Sequence, residues 1–156
     1  MRRVILLALA LGIMLVAAPT YAQDNYYDMG VFSLGLGYGF GEDVEPGPFV
    51  LSGKYWADVW EVGAEVYFSG DDADEFDQIG TGWLAYRYDV DVEDEGATYL
   101  GIGIAGLFED YTGFENSFGP VGLVGWDSEI WGLELKYQWF DPGIFSFVAY
   151  YHLGDE

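Results

Sequence analysis

Trp131-Gly132-Leu133-Glu134-Leu135-Lys136-Tyr137-Gln138-Trp139 alternates without a break. Trp131, Leu133, Leu135, Tyr137 and Trp139 fall on one side of an extended chain; Gly132, Glu134, Lys136 and Gln138 fall on the other. Successive side chains of a strand point to opposite faces, so this is the pattern of a strand with two unlike environments. A helix of the same sequence would scatter both sets around its axis.

The same division recurs along the chain. Phe32, Leu34, Leu36, Tyr38 and Phe40 stand against Ser33, Gly35, Gly37 and Gly39. Trp60, Val62, Ala64, Val66 and Phe68 stand against Glu61, Gly63, Glu65 and Tyr67, and Leu100, Ile102 and Ile104 against Gly101, Gly103 and Ala105. Eight strand-like runs emerge, at 29–40, 49–57, 60–68, 79–90, 98–108, 119–126, 130–140 and 144–153. Gly, Asp and Pro separate them, and their lengths suit strands that cross a bilayer at a tilt, about 9–11 residues each. Val121-Gly122-Leu123-Val124 does not alternate cleanly, so the facing of the sixth run stays open.

Turn chemistry sets the expected register. Asp141-Pro142-Gly143 reads as a three-residue hairpin loop pairing Phe140 with Ile144. Trp139 then faces Phe145, Tyr137 faces Phe147, Leu133 faces Tyr151 and Gln138 faces Ser146. A two-residue turn at Asp58-Val59 pairs Ala57 with Trp60 and puts Lys54 on the face of Glu61 and Glu65. A slip of one residue would invert every face.

Side-chain volume decides which face is inside. An eight-stranded barrel has an interior just wide enough to be filled by side chains. The aromatic and aliphatic set overfills that space, whereas Gly, Ala, Ser and Thr with a few charges suit it. The bulky face therefore points outward, into lipid. The lumen is expected to hold Lys54, Glu61, Glu65, Arg87, Glu134 and Lys136 as a network of both signs that plugs the barrel. Aromatic residues near strand ends, among them Phe40, Phe68 and Trp139 at one rim and Trp60, Trp131 and Tyr151 at the other, are expected to form the two interfacial girdles. The fold class is all-β: an eight-stranded antiparallel up-and-down transmembrane β-barrel.

The N-terminus agrees with export. Met1-Arg2-Arg3 precedes an apolar run from Val4 to Ala18 and a small residue at Ala22. This reads as a cleavable signal peptide over 1–22, too short to span a bilayer, which takes about 20 apolar residues. Residues 23–156 form a single barrel domain. The chain has no cysteine, so disulfides do not supply its stability. All 27 acidic residues follow the leader, and only Lys54, Arg87 and Lys136 oppose them there. Nucleic acid, which requires a basic surface, is excluded as a partner.

Gly30-Val31-Phe32-Ser33-Leu34-Gly35-Leu36-Gly37-Tyr38-Gly39-Phe40 resembles the opening strand of small outer-membrane barrels of the OmpA, OmpX and OmpW type. Ser146, Tyr151 and Leu153 are similar to the assembly signal in the last strand of such barrels, although Gly154-Asp155-Glu156 follows and no terminal aromatic residue is present. The resemblance implies a bacterial outer-membrane location, both termini in the periplasm and a monomer. Its partners would be membrane lipid, lipopolysaccharide and the insertion machinery.

No motif names an activity. His152, the lone histidine, lacks the His-x-Ser pattern of lipid A deacylases and faces the lumen near the periplasmic end, where a structural role is expected. With few serines and no cysteine, a nucleophile–base pair has little to be built from, and no enzyme is expected. Asp71, Asp72, Asp74, Glu75 and Asp77 offer hard oxygen ligands for loosely bound Ca²⁺ or Mg²⁺, without the spacing of an EF-hand. The expected function is a non-enzymatic outer-membrane barrel with a structural or surface-interaction role. A soluble periplasmic ligand-binding barrel, a lipid A-modifying enzyme and a narrow pore are the alternatives.

Overall fold

The computed structural model describes residues 30–41, 49–68, 78–93, 96–108 and 115–153. Eight strands, β1 (Val31–Gly41), β2 (Phe49–Ala57), β3 (Trp60–Phe68), β4 (Gln78–Glu93), β5 (Gly96–Leu107), β6 (Phe118–Asp127), β7 (Trp131–Gln138) and β8 (Ile144–Leu153), follow one another in chain order. Each pairs antiparallel with its sequence neighbours, and β8 returns to β1, giving a closed barrel. Closure satisfies the backbone of every strand and leaves no edge. One end of the cylinder carries the start of β1 and the end of β8; this is the terminus end, and the opposite one is the loop end.

The faces divide as the alternation requires, except that Phe32 and Val66, expected to be exposed on the outer face, are buried. In β8 every second residue is buried and every other exposed, from Ile144 inward to Leu153 outward. In β7, Gly132, Glu134, Lys136 and Gln138 point in. The facing of β6 is resolved: Val121, Leu123 and Asp127 are buried, with Phe118, Pro120 and Val124 outside. Between Asp89 and Asp91 the β4–β5 register shifts by a bulge, which carries β4 past Val90 to Glu93.

The β2–β3 turn forms as the sequence reads, with Ala57 opposite Trp60 and Asp58 at φ 55°, a left-handed conformation that Asp tolerates. The β7–β8 hairpin is wider than expected. Gln138, not Phe140, faces Ile144, so Tyr137 faces Phe145, Leu135 faces Phe147, Lys136 faces Ser146 and Trp131 faces Tyr151. The displacement is two residues, which keeps every face. Its cause is Phe140, which leaves the sheet and is buried in the apolar cluster with Val50, Leu107, Val121 and Ile144. The connecting backbone is held from outside: Asp141 N–H donates to Asn116 Oδ1 at 2.8 Å and Glu115 N–H donates to Asp141 O at 2.8 Å.

The volume argument needs a correction. Tyr67, Trp83, Tyr99 and Tyr150 lie inside the barrel and are buried. Glycines on neighbouring strands make the room. A Cβ at Gly63 would sit 2.2 Å from Trp83, one at Gly125 2.3 Å from Tyr99, one at Gly39 2.6 Å from Tyr67, and one at Gly35 2.7 Å from Tyr150. The inward glycines are holes for inward rings, not merely small residues lining a narrow tube. Leu123 uses Gly101 in the same way, 2.4 Å from the added Cβ.

Filling one such hole measures the fit. Gly101→Val is expected to cost about 1–3 kcal/mol through overpacking. Adding Leu123→Ala should recover much of that loss, although Leu123→Ala alone is destabilising. A double-mutant cycle by denaturant unfolding of the folded barrel checks this; strictly additive losses would contradict it.

Candidate functional site

The lumen holds all six charged residues expected there. Lys54, Glu61 and Glu65 are fully buried, and Arg87, Glu134 and Lys136 nearly so. Five of them form one alternating ladder. Lys54 Nζ lies 3.3 Å from Glu61 Oε2 and 2.8 Å from Glu134 Oε2. Lys136 Nζ lies 3.0 Å from Glu134 Oε1 and 2.7 Å from Glu65 Oε1. Each ammonium bridges two carboxylates, and Glu134 is shared by both. Buried charge is tolerable when it is paired and its remaining lone pairs are filled, and here neutral donors take up several of them. Trp83 Nε1 donates to Glu61 at 3.0 Å, and the Tyr99 hydroxyl donates to Glu134 at 2.7 Å. Glu65 accepts from Tyr67, from Gln138 Nε2 at 3.1 Å and from Ser146 Oγ at 3.2 Å.

Arg87 belongs to a second cluster at the terminus end. Its guanidinium lies over the Tyr99 ring at 3.7 Å and the Trp56 ring at 4.3 Å. Its Nη1 is 2.6 Å from Asp127 Oδ2, and its Nε is 3.1 Å from Asp89 Oδ1. The other oxygen of Asp127 is 3.4 Å from His152 Nε2, and His152 Nδ1 is 2.7 Å from Ser33 Oγ. Ser33 and His152 are directly opposed across β1 and β8, the pair of strands that closes the cylinder.

Several of these residues escaped the sequence reading. Asp127 lies one residue past the sixth run as read from the sequence, 119–126, and is the last residue of β6. Tyr99 and Trp83 carried a legible signal: Tyr99 is in phase with Gly101 and Gly103, and Trp83 with Arg87, so both share the inward parity. The contact between Ser33 and His152 arises from the pairing of distant strands, which brings them together from opposite ends of the domain.

The rim residues are placed outside. Phe40, Trp139, Trp60, Trp131 and Tyr151 are exposed, and Phe68 is partly so. At the loop end Phe40 stacks on Phe145 at 5.7 Å, and Tyr137 meets Trp139 at 4.6 Å; at the terminus end Trp60 meets Tyr86 at 5.8 Å and Trp126 meets Trp131 at 5.0 Å. The acids Asp71, Asp72, Asp74, Glu75 and Asp77 lie outside the described residues, as does the leader 1–22. Among the described residues no group of three or more His, Cys, Asp or Glu is placed to hold a metal ion.

No protein-family model and no curated protein matches the sequence. A solved structure from the de novo design of transmembrane β-barrels is similar in fold, at a TM-score of 0.50 and 12% identity, covering 84% of this chain and 100% of that one. The chain is thus an eight-stranded antiparallel barrel similar to a transmembrane barrel design.

The ladder makes unequal predictions for its members. Lys136→Met removes the only cation beside Glu65 among the described residues, leaves Glu134 with Lys54 alone, and is expected to cost about 3–5 kcal/mol, the scale for breaking a buried pair. Glu61→Gln leaves the alternation Glu134–Lys54 and Glu134–Lys136–Glu65 intact, at a cost nearer the ~1 kcal/mol of one hydrogen bond. Denaturant midpoints of the two variants check the order.

Proposed function

We propose that this protein is a bacterial outer-membrane β-barrel of the OmpA, OmpX and OmpW type. Its role is structural or surface-interacting, carried by its outer surface and loops. The observation that supports this most is the outer wall. Leu36, Ile102 and Ile104 are 71%, 70% and 63% exposed, in an aliphatic belt between the two aromatic rims. A continuous apolar wall around a closed cylinder is what hydrocarbon requires and what water penalises. A soluble ligand-binding barrel would carry the opposite polarity, with a polar wall and an apolar cavity.

The filled lumen supports a plugged barrel over a pore. The charge ladder occupies the middle, and Phe140 with its apolar neighbours occupies the loop end. In this reading the leader directs export, the termini face the periplasm and the barrel is a monomer in lipid and lipopolysaccharide. The acidic loops would meet Ca²⁺ or Mg²⁺, and through them the lipopolysaccharide phosphates. Calorimetric titration of the folded protein is expected to show heat at millimolar Ca²⁺; a flat trace removes that part of the reading.

The membrane assignment has a direct test. Ile102→Arg, in the middle of the belt, is expected to cost about 2–4 kcal/mol in unfolding from lipid vesicles. The wild-type protein should fractionate with outer membranes, need detergent for extraction and migrate differently on a gel after boiling. Recovery from a detergent-free soluble fraction contradicts the proposal.

A further inference from the structure

We propose that Ser33 is an activated nucleophile, with His152 as its general base and Asp127 as the group that orients the base. The inference rests on the closed barrel and its terminus end, and is independent of the membrane assignment. A serine hydroxyl is a weak nucleophile until a neighbouring base takes its proton, and the base works best when a third group fixes its ring. The three appear here in that order: Ser33 Oγ is 2.7 Å from His152 Nδ1, and His152 Nε2 is 3.4 Å from Asp127 Oδ1. The second distance is that of an ion pair rather than an aligned hydrogen bond, and such contacts commonly tighten when a substrate is bound. The nitrogen facing the serine is Nδ1, and Nε2–H then faces the acid. The neutral tautomer with its proton on Nε2 accepts from Ser33 at Nδ1 and turns its N–H toward Asp127, 3.4 Å away.

The surroundings fit an electrophile with a developing negative oxygen. Ser33 and His152 form the rung next to the last one, Phe32 with Leu153, at the terminus end of the β1–β8 pairing. Trp56 stands one inward position from Lys54, which faces Ser33 across β1 and β2. Its indole Nε1–H is buried without a partner. A buried donor left unpaired in a polar cluster is costly and is available to an incoming oxygen. The Arg87 guanidinium lies 4.3 Å from the Trp56 ring, with its charge shared between Asp127 and Asp89. Ser33 itself is fully buried, so the substrate must be narrow: a carboxylic ester whose acyl carbon reaches the rung from the terminus end.

The chemistry balances without a further reagent. Ser33 Oγ bonds to the acyl carbon as its proton passes to His152 Nδ1. The ester C–O bond breaks, and the departing alcohol takes that proton. Water then bonds to the acyl carbon as its proton passes to the same nitrogen; the bond from the acyl carbon to Ser33 Oγ breaks, the acid leaves and Oγ takes the proton back from His152 Nδ1. The plainer role for these contacts is a pin between β1 and β8, which requires the same hydrogen bond but no reactivity.

Labelling with a small dialkyl fluorophosphonate separates the two. Phosphorus bonds to Oγ, and fluoride leaves with the proton. The full chain folded in detergent, with the boiled-gel mobility shift as a check of folding, is treated with the probe and mapped by mass spectrometry. The expected result is an adduct on Ser33 that appears faster than on any other serine and is absent after boiling. His152→Gln, which keeps a hydrogen-bonding group opposite Ser33 but takes no proton, should slow it by about 10²-fold or more. If His152→Gln fails to fold, Asp127→Asn provides the same comparison. No adduct on Ser33 of the folded wild type, or a rate unchanged in the folded variant, overturns the proposal. Loss of the mobility shift in the wild type would instead tell against the barrel.

Discussion

The interior of an eight-stranded cylinder is a fixed and small space, and every strand must divide its residues around that limit. Nothing in this chain escapes it. Side chains of one parity must fit together across the axis, and those of the other must find a solvent outside. The two populations differ: charges, rings, glycines and an aliphatic cap at the loop end lie within, and aliphatics with rim aromatics lie without, so the charged groups are inside and the wall is apolar. Closure by β8 on β1 then removes any sheet edge, so the backbone imposes no demand on the surroundings.

Within that space the polar groups are held by position more than by number. Lys54 and Lys136 each touch two carboxylates, and Glu134 touches both lysines, so the ladder is one connected object spanning β2, β3 and β7. Rings complete it: Lys136 Nζ is 3.3 Å from the Trp83 ring centroid, and Lys54 Nζ is 4.4 Å from that of Tyr150. Such rings pair with cations through the negative faces of their π systems. They also exclude water, which strengthens the remaining electrostatics. The glycines opposite these rings are therefore part of the electrostatic site, since without them the rings could not approach the axis.

Much of this was written in the period-two pattern. Alternation in the first, third, fifth and seventh runs shows which residues share a face, and the inward charges follow from parity and from the turn that sets Lys54 beside Glu61 and Glu65. What the pattern did not carry were the contacts that depend on three dimensions. Phe140 reads as the last residue of a strand, but the apolar cap at the loop end draws it inward and moves the hairpin pairing by two. Tyr99 and Trp83 are in phase with glycines and a charge, yet ring size argued for the outside. The Gly–ring complementarity that admits them joins residues on separate strands, and no local window shows it. Ser33 and His152 are the extreme case: 119 positions apart, they meet only because the barrel closes.

The same closure also separates charge. Lys54, Arg87 and Lys136 are the only basic side chains among the described residues, and all are buried. The acids Asp58, Asp91, Glu115, Glu129 and Asp141 are exposed with no cation beside them on the surface. In the membrane reading proposed above, a wall that is apolar at mid-height and acidic at both rims resists moving along its axis in the bilayer. Sliding either way would carry uncompensated carboxylates toward hydrocarbon and lift aliphatic side chains into water. Drawing the cations inward thus does two things together. It neutralises the carboxylates that the lumen must bury, and it leaves the rims with a single sign of charge, which fixes the height at which the cylinder can sit.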